Sequence, residues 1–89
     1  DNMSPDYVVV TLRTASGSFE SDYELPANLP VERLSQLLLE GLAQQSPRLF
    51  GGWKDLFFRR EGRLLRAQDT LSALGVWDGS VLTIGEVPE

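Results

Sequence analysis

The residues of this sequence best suited to chemistry are a row of carboxylates. The stretch FESDYEL, residues 19–25, places Glu20, Asp22 and Glu24 two positions apart. Clustered oxygens of this kind suit a hard cation such as Ca²⁺. On an extended strand, however, side chains two apart form a row rather than a cage, and charge on a strand discourages edge-to-edge aggregation. We therefore expect no metal site here.

No catalytic constellation is present in the sequence. The chain contains no His and no Cys, which removes the commonest general base, thiol nucleophiles, disulfides and Cys-based zinc sites. Gly51, Gly52 and Gly75 stand outside any phosphate-cradling glycine pattern. We therefore expect a protein that is not an enzyme, with no catalytic residues and no cofactor.

Charge is distributed unevenly along the chain. The net charge is −5, with acidic residues in excess over residues 1–40 and 67–89 and basic residues in excess over residues 41–66. An acidic chain is repelled by phosphate, so nucleic-acid binding is not expected. The basic stretch would suit an acidic protein partner; the alternative is ordinary solvated surface.

Two strands are predicted before any helix. The β-branched stretch YVVVTLRT, residues 7–14, and the alternating stretch at residues 19–25 both follow the period of two that is typical of strands. A short turn containing Gly17 joins them. We therefore expect a β-hairpin.

A single long helix is predicted to follow the hairpin. Val31, Leu34, Leu38 and Leu42 fall on one helical stripe. Pro30 is tolerated where a helix begins. The residue before Pro47 is disfavoured in helical geometry, so we expect the helix to end there.

Three short strands are predicted downstream of the helix, at residues 56–60, 63–66 and 81–84. Residues 48–54 are predicted to form a loop whose Phe50 and Trp53 cover the open end of the core. The element order β-β-α-β-β-β predicts an α+β fold, in which a mixed sheet of about five strands carries the long helix across one face.

This element order resembles the ubiquitin-like β-grasp, and specific stretches narrow the resemblance. LPANLPVERL, residues 25–34, resembles the strand-to-helix entry of the ubiquitin-like proteins of bacterial type VII (WXG100) secretion systems, which are YukD- and EsaB-like. DTLSALGVWDGSVLTI, residues 69–84, resembles the closing segment of that family, and GGW at residues 51–53 adds to the likeness. The family contains small free-standing proteins and the related N-terminal cytosolic domain of the EccD-type membrane component.

The resemblance implies one ubiquitin-like domain at residues 7–85. Residues 1–6 would be a disordered N-terminus or a cloning remnant, and residues 86–89 a tail or the start of a linker. The implied role is a non-catalytic, cytoplasmic protein-interaction domain, an accessory or scaffolding component of the secretion apparatus. It would bind other secretion components and be free or tethered to the inner face of the membrane. The alternative is a ubiquitin-like signalling adaptor unrelated to secretion.

Two further properties follow from the sequence. The apolar runs are too short to span a bilayer, so no membrane insertion of this fragment is expected, while homo-oligomerisation stays open. Conjugated modifiers need a flexible C-terminal diglycine, whereas Gly85 stands alone before Glu86. We therefore expect a protein that is not conjugated to others.

The predicted binding surface is the face of the sheet away from the helix. If Leu56 and Phe58 point inward, alternation turns Phe57 and Arg59 outward. An exposed Phe beside an Arg is a plausible hot-spot pair; the alternative is scattered apolar surface without a partner. The predicted protein-binding residues are Val9, Arg13, Phe57, Arg59, Val81 and Thr83.

Overall fold

The computed structural model describes residues 6–87, so residues 1–5 of the predicted segment 1–6 and residues 88–89 of the predicted segment 86–89 lie outside the described residues. Within that range the elements are β1 (Tyr7–Thr14), β2 (Glu20–Pro26), α1 (Val31–Gln45), α2 (Pro47–Phe50), β3 (Leu56–Arg60), β4 (Arg63–Leu64) and β5 (Val81–Glu86).

The strands form a single mixed sheet in the order β2-β1-β5-β3-β4. β1 pairs antiparallel with β2 and parallel with β5, while β3 pairs antiparallel with both β5 and β4. A parallel pair needs a long crossover, and the connection between β1 and β5 contains α1. The predicted mixed sheet and the predicted α+β order are confirmed.

One core fills the space between α1 and the sheet. The predicted helical stripe is buried, and alternate residues of the strands meet it from the other side. The fully enclosed side chains on the strands include Val10, Leu12, Phe58, Leu82 and Ile84. Because strand side chains alternate between faces, the same strands present their other residues to the opposite side of the sheet.

α1 begins and ends where the prolines predict. Pro30 precedes its first residue with φ −59°, an angle that suits entry into a helix. At the other end Ser46 has φ −137° and is extended, because the ring of Pro47 disfavours helical geometry in the preceding residue.

The segment predicted as a loop begins with the short helix α2. Gly51 closes this helix, and its N–H donates to the Pro47 carbonyl oxygen at 2.8 Å. A Cβ on Gly51 would lie 2.5 Å from that oxygen, so the position requires glycine. The ring of Phe50 is buried and packs edge-on against Phe19 and Trp53, with centroids 5.1 and 4.8 Å away. Phe50 and Trp53 therefore cover the core as predicted, Phe50 from α2 and Trp53 from the loop that follows it.

The β3–β4 hairpin closes through a two-residue turn. Glu61 and Gly62 both have positive φ, 52° and 81°, the geometry of a type I′ turn. The second strand was expected over residues 63–66 but pairs over two residues only. The reason is a new turn in which the Arg66 N–H donates to Asp69 Oδ2 at 2.8 Å.

β5 continues beyond its predicted end at Ile84. Gly85 and Glu86 remain in the ladder, opposite Phe57 and Leu56 of β3. Gly85, which was predicted to follow the strand, is therefore part of the sheet.

Candidate protein-interaction surface

The face of the sheet opposite α1, called the outer face, carries the β2 carboxylates Glu20, Asp22 and Glu24 at its edge, opposite Arg13, Thr11 and Val9. Its remaining part is built by alternate residues of three strands. These are Val9, Thr11 and Arg13 on β1, Phe57 and Arg59 on β3, and Val81, Thr83 and Gly85 on β5. The structure thus places all six residues of the predicted binding surface on one face. That they bind a partner stays a prediction.

A row of two arginines crosses the middle of the outer face. Thr83 lies opposite Arg13 on one side and opposite Arg59 on the other. Neither guanidinium forms an ion pair within residues 6–87. Both guanidinium groups are therefore available to an approaching surface, with the exposed carboxylate of Glu20 opposite Arg13 on the neighbouring strand.

Phe57 lies at one end of this face, over Gly85. A Cβ on Gly85 would lie 2.4 Å from Cζ of Phe57, so the ring occupies the space that a side chain would fill. The guanidinium carbon of Arg59 is 5.3 Å from the ring centroid, a cation–π arrangement. Phe57 points outward as predicted but is half-buried rather than exposed, because of its contact with Gly85.

An apolar cluster occupies the other end of the outer face. Val9 and Val81 are 40% and 42% exposed. They lie diagonally across the β1–β5 pair, since Val81 is opposite Thr11. Tyr7, two residues before Val9 on the same face, is also exposed. We call Tyr7, Val9, Val81 and Trp77 the apolar end, since the turn that carries Trp77 is hydrogen-bonded to the backbone of Val9.

Trp77 is a candidate residue that sequence reasoning missed. Its side chain is 73% exposed, in the turn that enters β5. Ser80 fixes this turn, since its Oγ accepts from the Trp77 N–H at 3.1 Å and its N–H donates to the Trp77 carbonyl at 3.0 Å. Asp78 Oδ1 ties the turn to β1 by accepting from the Val9 N–H at 2.8 Å. A tryptophan directly before an Asp-Gly turn was the signal that could have revealed it.

The carboxylates of β2 form a row along the edge of the sheet. Glu20, Asp22 and Glu24 are all exposed, and Asp22 accepts a hydrogen bond from the Thr11 hydroxyl at 2.8 Å. In the described range of the chain, no group of three or more potential ligand side chains could hold a metal ion. Nearby, the Tyr23 hydroxyl donates to the side chain of Gln45 in α1, and burial raises the pKa of Tyr23.

This sheet order, with the long helix between the second and third strands and packed on one face, defines a ubiquitin-like β-grasp domain. The family whose model matches is described as "WXG100 protein secretion system (Wss), protein YukD", and the match spans residues 7–84. The chain belongs to this family. The resemblance that the sequence suggested is confirmed.

Solved structures with the same fold include domains of type VII secretion proteins. The chain is 28% identical to the ubiquitin-like domain of the Mycobacterium tuberculosis type VII secretion system protein ECCD1, with a TM-score of 0.69, over 89% of this chain and 97% of that one. It is 20% identical to the EccD5 ubiquitin-like domain from Mycobacterium xenopi, with a TM-score of 0.76, over 96% and 99% of the two chains. The second likeness supports the fold alone.

A further match lies in a chain of the MycP5-free ESX-5 inner membrane complex. Identity is 27% and the TM-score is 0.74, over 96% of this chain but only 22% of that chain. No curated protein matches the sequence significantly. Between residues 6 and 87, neither helix has the length and apolar character needed to cross a membrane.

Proposed function

We propose that this chain is a non-catalytic protein-interaction domain of a type VII secretion apparatus, comprising residues 7–85. It acts as an accessory or scaffolding element and binds other components of the apparatus through the outer face. Membership of the YukD family and the likeness to the ECCD1 domain support the link to secretion.

The apolar end of the outer face carries this proposal. Exposed aromatic and β-branched side chains lie there on strands and on a hydrogen-bonded turn, so little backbone ordering is needed on binding. Trp and Arg are the residues most often found at binding hot spots. The outer face offers both, with Trp77 beside the apolar strands and Arg13 and Arg59 in the next row.

We propose a site of action on the cytoplasmic side of the membrane. One similar structure is a chain of an inner membrane complex. The match covers 22% of that chain. A domain of this kind acts either as a free protein or as one part of a larger membrane component. The partners would be the soluble parts of neighbouring components.

The domain is not a conjugated modifier under this proposal. Activation requires a glycine carboxylate at the end of a flexible segment, so that it can enter a narrow catalytic site. Gly85 instead lies in β5, paired with Phe57 and covered by its ring. Incubation with an activating enzyme of the ubiquitin type and ATP should yield no adenylate by mass spectrometry. A clear adenylate would contradict the proposal.

Site-specific photo-crosslinking in cells tests the binding surface. The photoreactive residue p-benzoylphenylalanine would replace Trp77 at the apolar end or, as a control, Leu37, which is 49% exposed on α1 across the sheet. We expect secretion-system components to be crosslinked from position 77 and not from position 37. Crosslinks from position 77 only to signalling proteins outside the apparatus would favour the adaptor alternative and overturn the proposal.

A further inference from the structure

A basic cavity of about 330 Å³ lies at the β4 edge of the sheet, apart from the apolar end. It is formed by the β3–β4 hairpin and the turns that follow it. We call it the arginine pocket. Its lining combines three arginines, Arg60, Arg63 and Arg66, with three leucines, Leu64, Leu65 and Leu74.

Arg60 is the fixed part of the pocket. Its Nη1 donates to the Leu74 carbonyl oxygen at 2.6 Å, and its Nη2 lies 3.5 Å from the Gly75 carbonyl oxygen. These bonds join the hairpin to the turn at residues 71–75 and hold both walls in place. A guanidinium has five N–H donors, so Arg60 keeps unused donors for a ligand.

Arg63 and Arg66 are the accessible cations. Both are exposed, and neither side chain makes a hydrogen bond or ion pair in the part of the chain that the structure describes. Two carboxylates also line the pocket, those of Glu61 and Asp69. Asp69 is engaged by the backbone N–H of Arg66 rather than by a guanidinium. The lining therefore has three arginines and two acidic residues. This small excess of positive charge suits a ligand with a few carboxylates better than a polyanion.

The leucines decide what kind of anion fits. Leu65 is buried at the base of the pocket, Leu74 is half-buried, and Leu64 is 56% exposed at the rim. A free inorganic anion would leave this apolar surface uncovered. A ligand that carries an apolar group between its negative charges would cover it and gain the free energy of burial.

We propose that the arginine pocket binds a short acidic segment of a partner protein. Carboxylates of that segment would pair with Arg63 and Arg66, and an apolar side chain would lie against Leu65 and Leu74. The volume is at the small end of ligand sites and admits one or two side chains. Nucleic acid is disfavoured by the net charge of −5. This site is separate from the outer face and goes beyond the proposed function.

Fluorescence polarisation with the 89-residue chain tests the pocket. The probe is a short fluorescein-labelled peptide of Glu and Asp with one central Leu, titrated at low and physiological salt. The double variant Arg63→Ala/Arg66→Ala should weaken binding about tenfold or more, since two charge-assisted hydrogen bonds are lost. The variant Arg33→Ala/Arg48→Ala removes the same charge from exposed, unpaired positions elsewhere and should change affinity little.

A gain-of-affinity variant and a second peptide sharpen the test. Glu61→Gln removes a carboxylate from the lining and should tighten binding about twofold to threefold, as expected for one charge near the surface. Replacing the central Leu of the peptide by Ser should weaken binding by a similar factor. An unchanged affinity for the Ser peptide would contradict the assigned role of the leucines.

Several outcomes would overturn the proposal. One is equal weakening by the Arg33/Arg48 control, which would reduce the effect to net charge. Another is tighter binding of an oligothymidylate of the same charge as the peptide. A third is concentration-dependent self-association that Arg63→Ala/Arg66→Ala abolishes, because the occupant would then be the acidic β2 strand of a second copy.

Discussion

The two faces of one sheet differ sharply, although neighbouring residues build them. Leu82 and Ile84 of β5 are fully enclosed beneath α1, whereas Val81, the residue directly before Leu82 in the same strand, is 42% exposed. Both faces carry apolar side chains, but only the inner face is covered within residues 6–87. The inner face accounts for folding, while the outer face keeps apolar surface that the fold itself does not use.

Truncation on the two faces should have very different effects on stability. Leu82→Ala leaves a cavity in the core and should lower the free energy of unfolding by about 3 kcal/mol. Val81→Ala, one residue earlier, should cost less than about 1 kcal/mol. Urea denaturation followed by circular dichroism measures both. Equal losses would show that Val81 also belongs to the core and would remove the distinction between the faces.

Trp77→Ala should separate binding from folding. The side chain is 73% exposed, so its loss should change the free energy of unfolding by less than about 0.5 kcal/mol. Partner affinity should fall by about tenfold or more, as expected for a Trp hot spot. Isothermal titration with a crosslinked partner identified as above, alongside Leu37→Ala, measures the difference. A loss of stability comparable to that of Leu82→Ala would refute the assignment.

On the outer face, the contact between the ring of Phe57 and the backbone of Gly85 should contribute to the stability of the fold. Phe57→Ala and Gly85→Ala each remove the contact between ring and backbone, and each should cost about 1 kcal/mol. The double variant should then cost little more than either single variant. A double-mutant cycle by thermal or urea unfolding tests this, and strictly additive losses would show that the two positions are independent.

Glu61→Asn should have the smallest effect, with opposite sign. Glu61 has φ 52°, and Asn tolerates this conformation better than Glu. The substitution should stabilise the domain by about 0.5 kcal/mol without altering partner binding at the apolar end. Destabilisation in urea would indicate that the Glu61 side chain supports the hairpin.

Alternation and helical spacing were enough to predict the β1–β2 hairpin, α1 and the assignment of residues to the two faces. The contact between Phe57 and Gly85 could not be predicted, because it depends on the register between β3 and β5. The arginine pocket likewise depends on distant residues, since Arg60 reaches the carbonyl of Leu74. Short elements were harder for a different reason: α2 is a single turn that packing and one proline stabilise, with no periodic pattern.

Secretion measured in cells tests the central claim most directly. The genomic copy would carry Val9→Ser and Trp77→Ala, with Leu37→Ala as the control, and export of a WXG100 substrate would be measured by immunoblot of the culture medium. The account predicts that export falls strongly in the outer-face variant and not in the control, at equal cellular levels of the domain. Normal export by a stably expressed outer-face variant would contradict it.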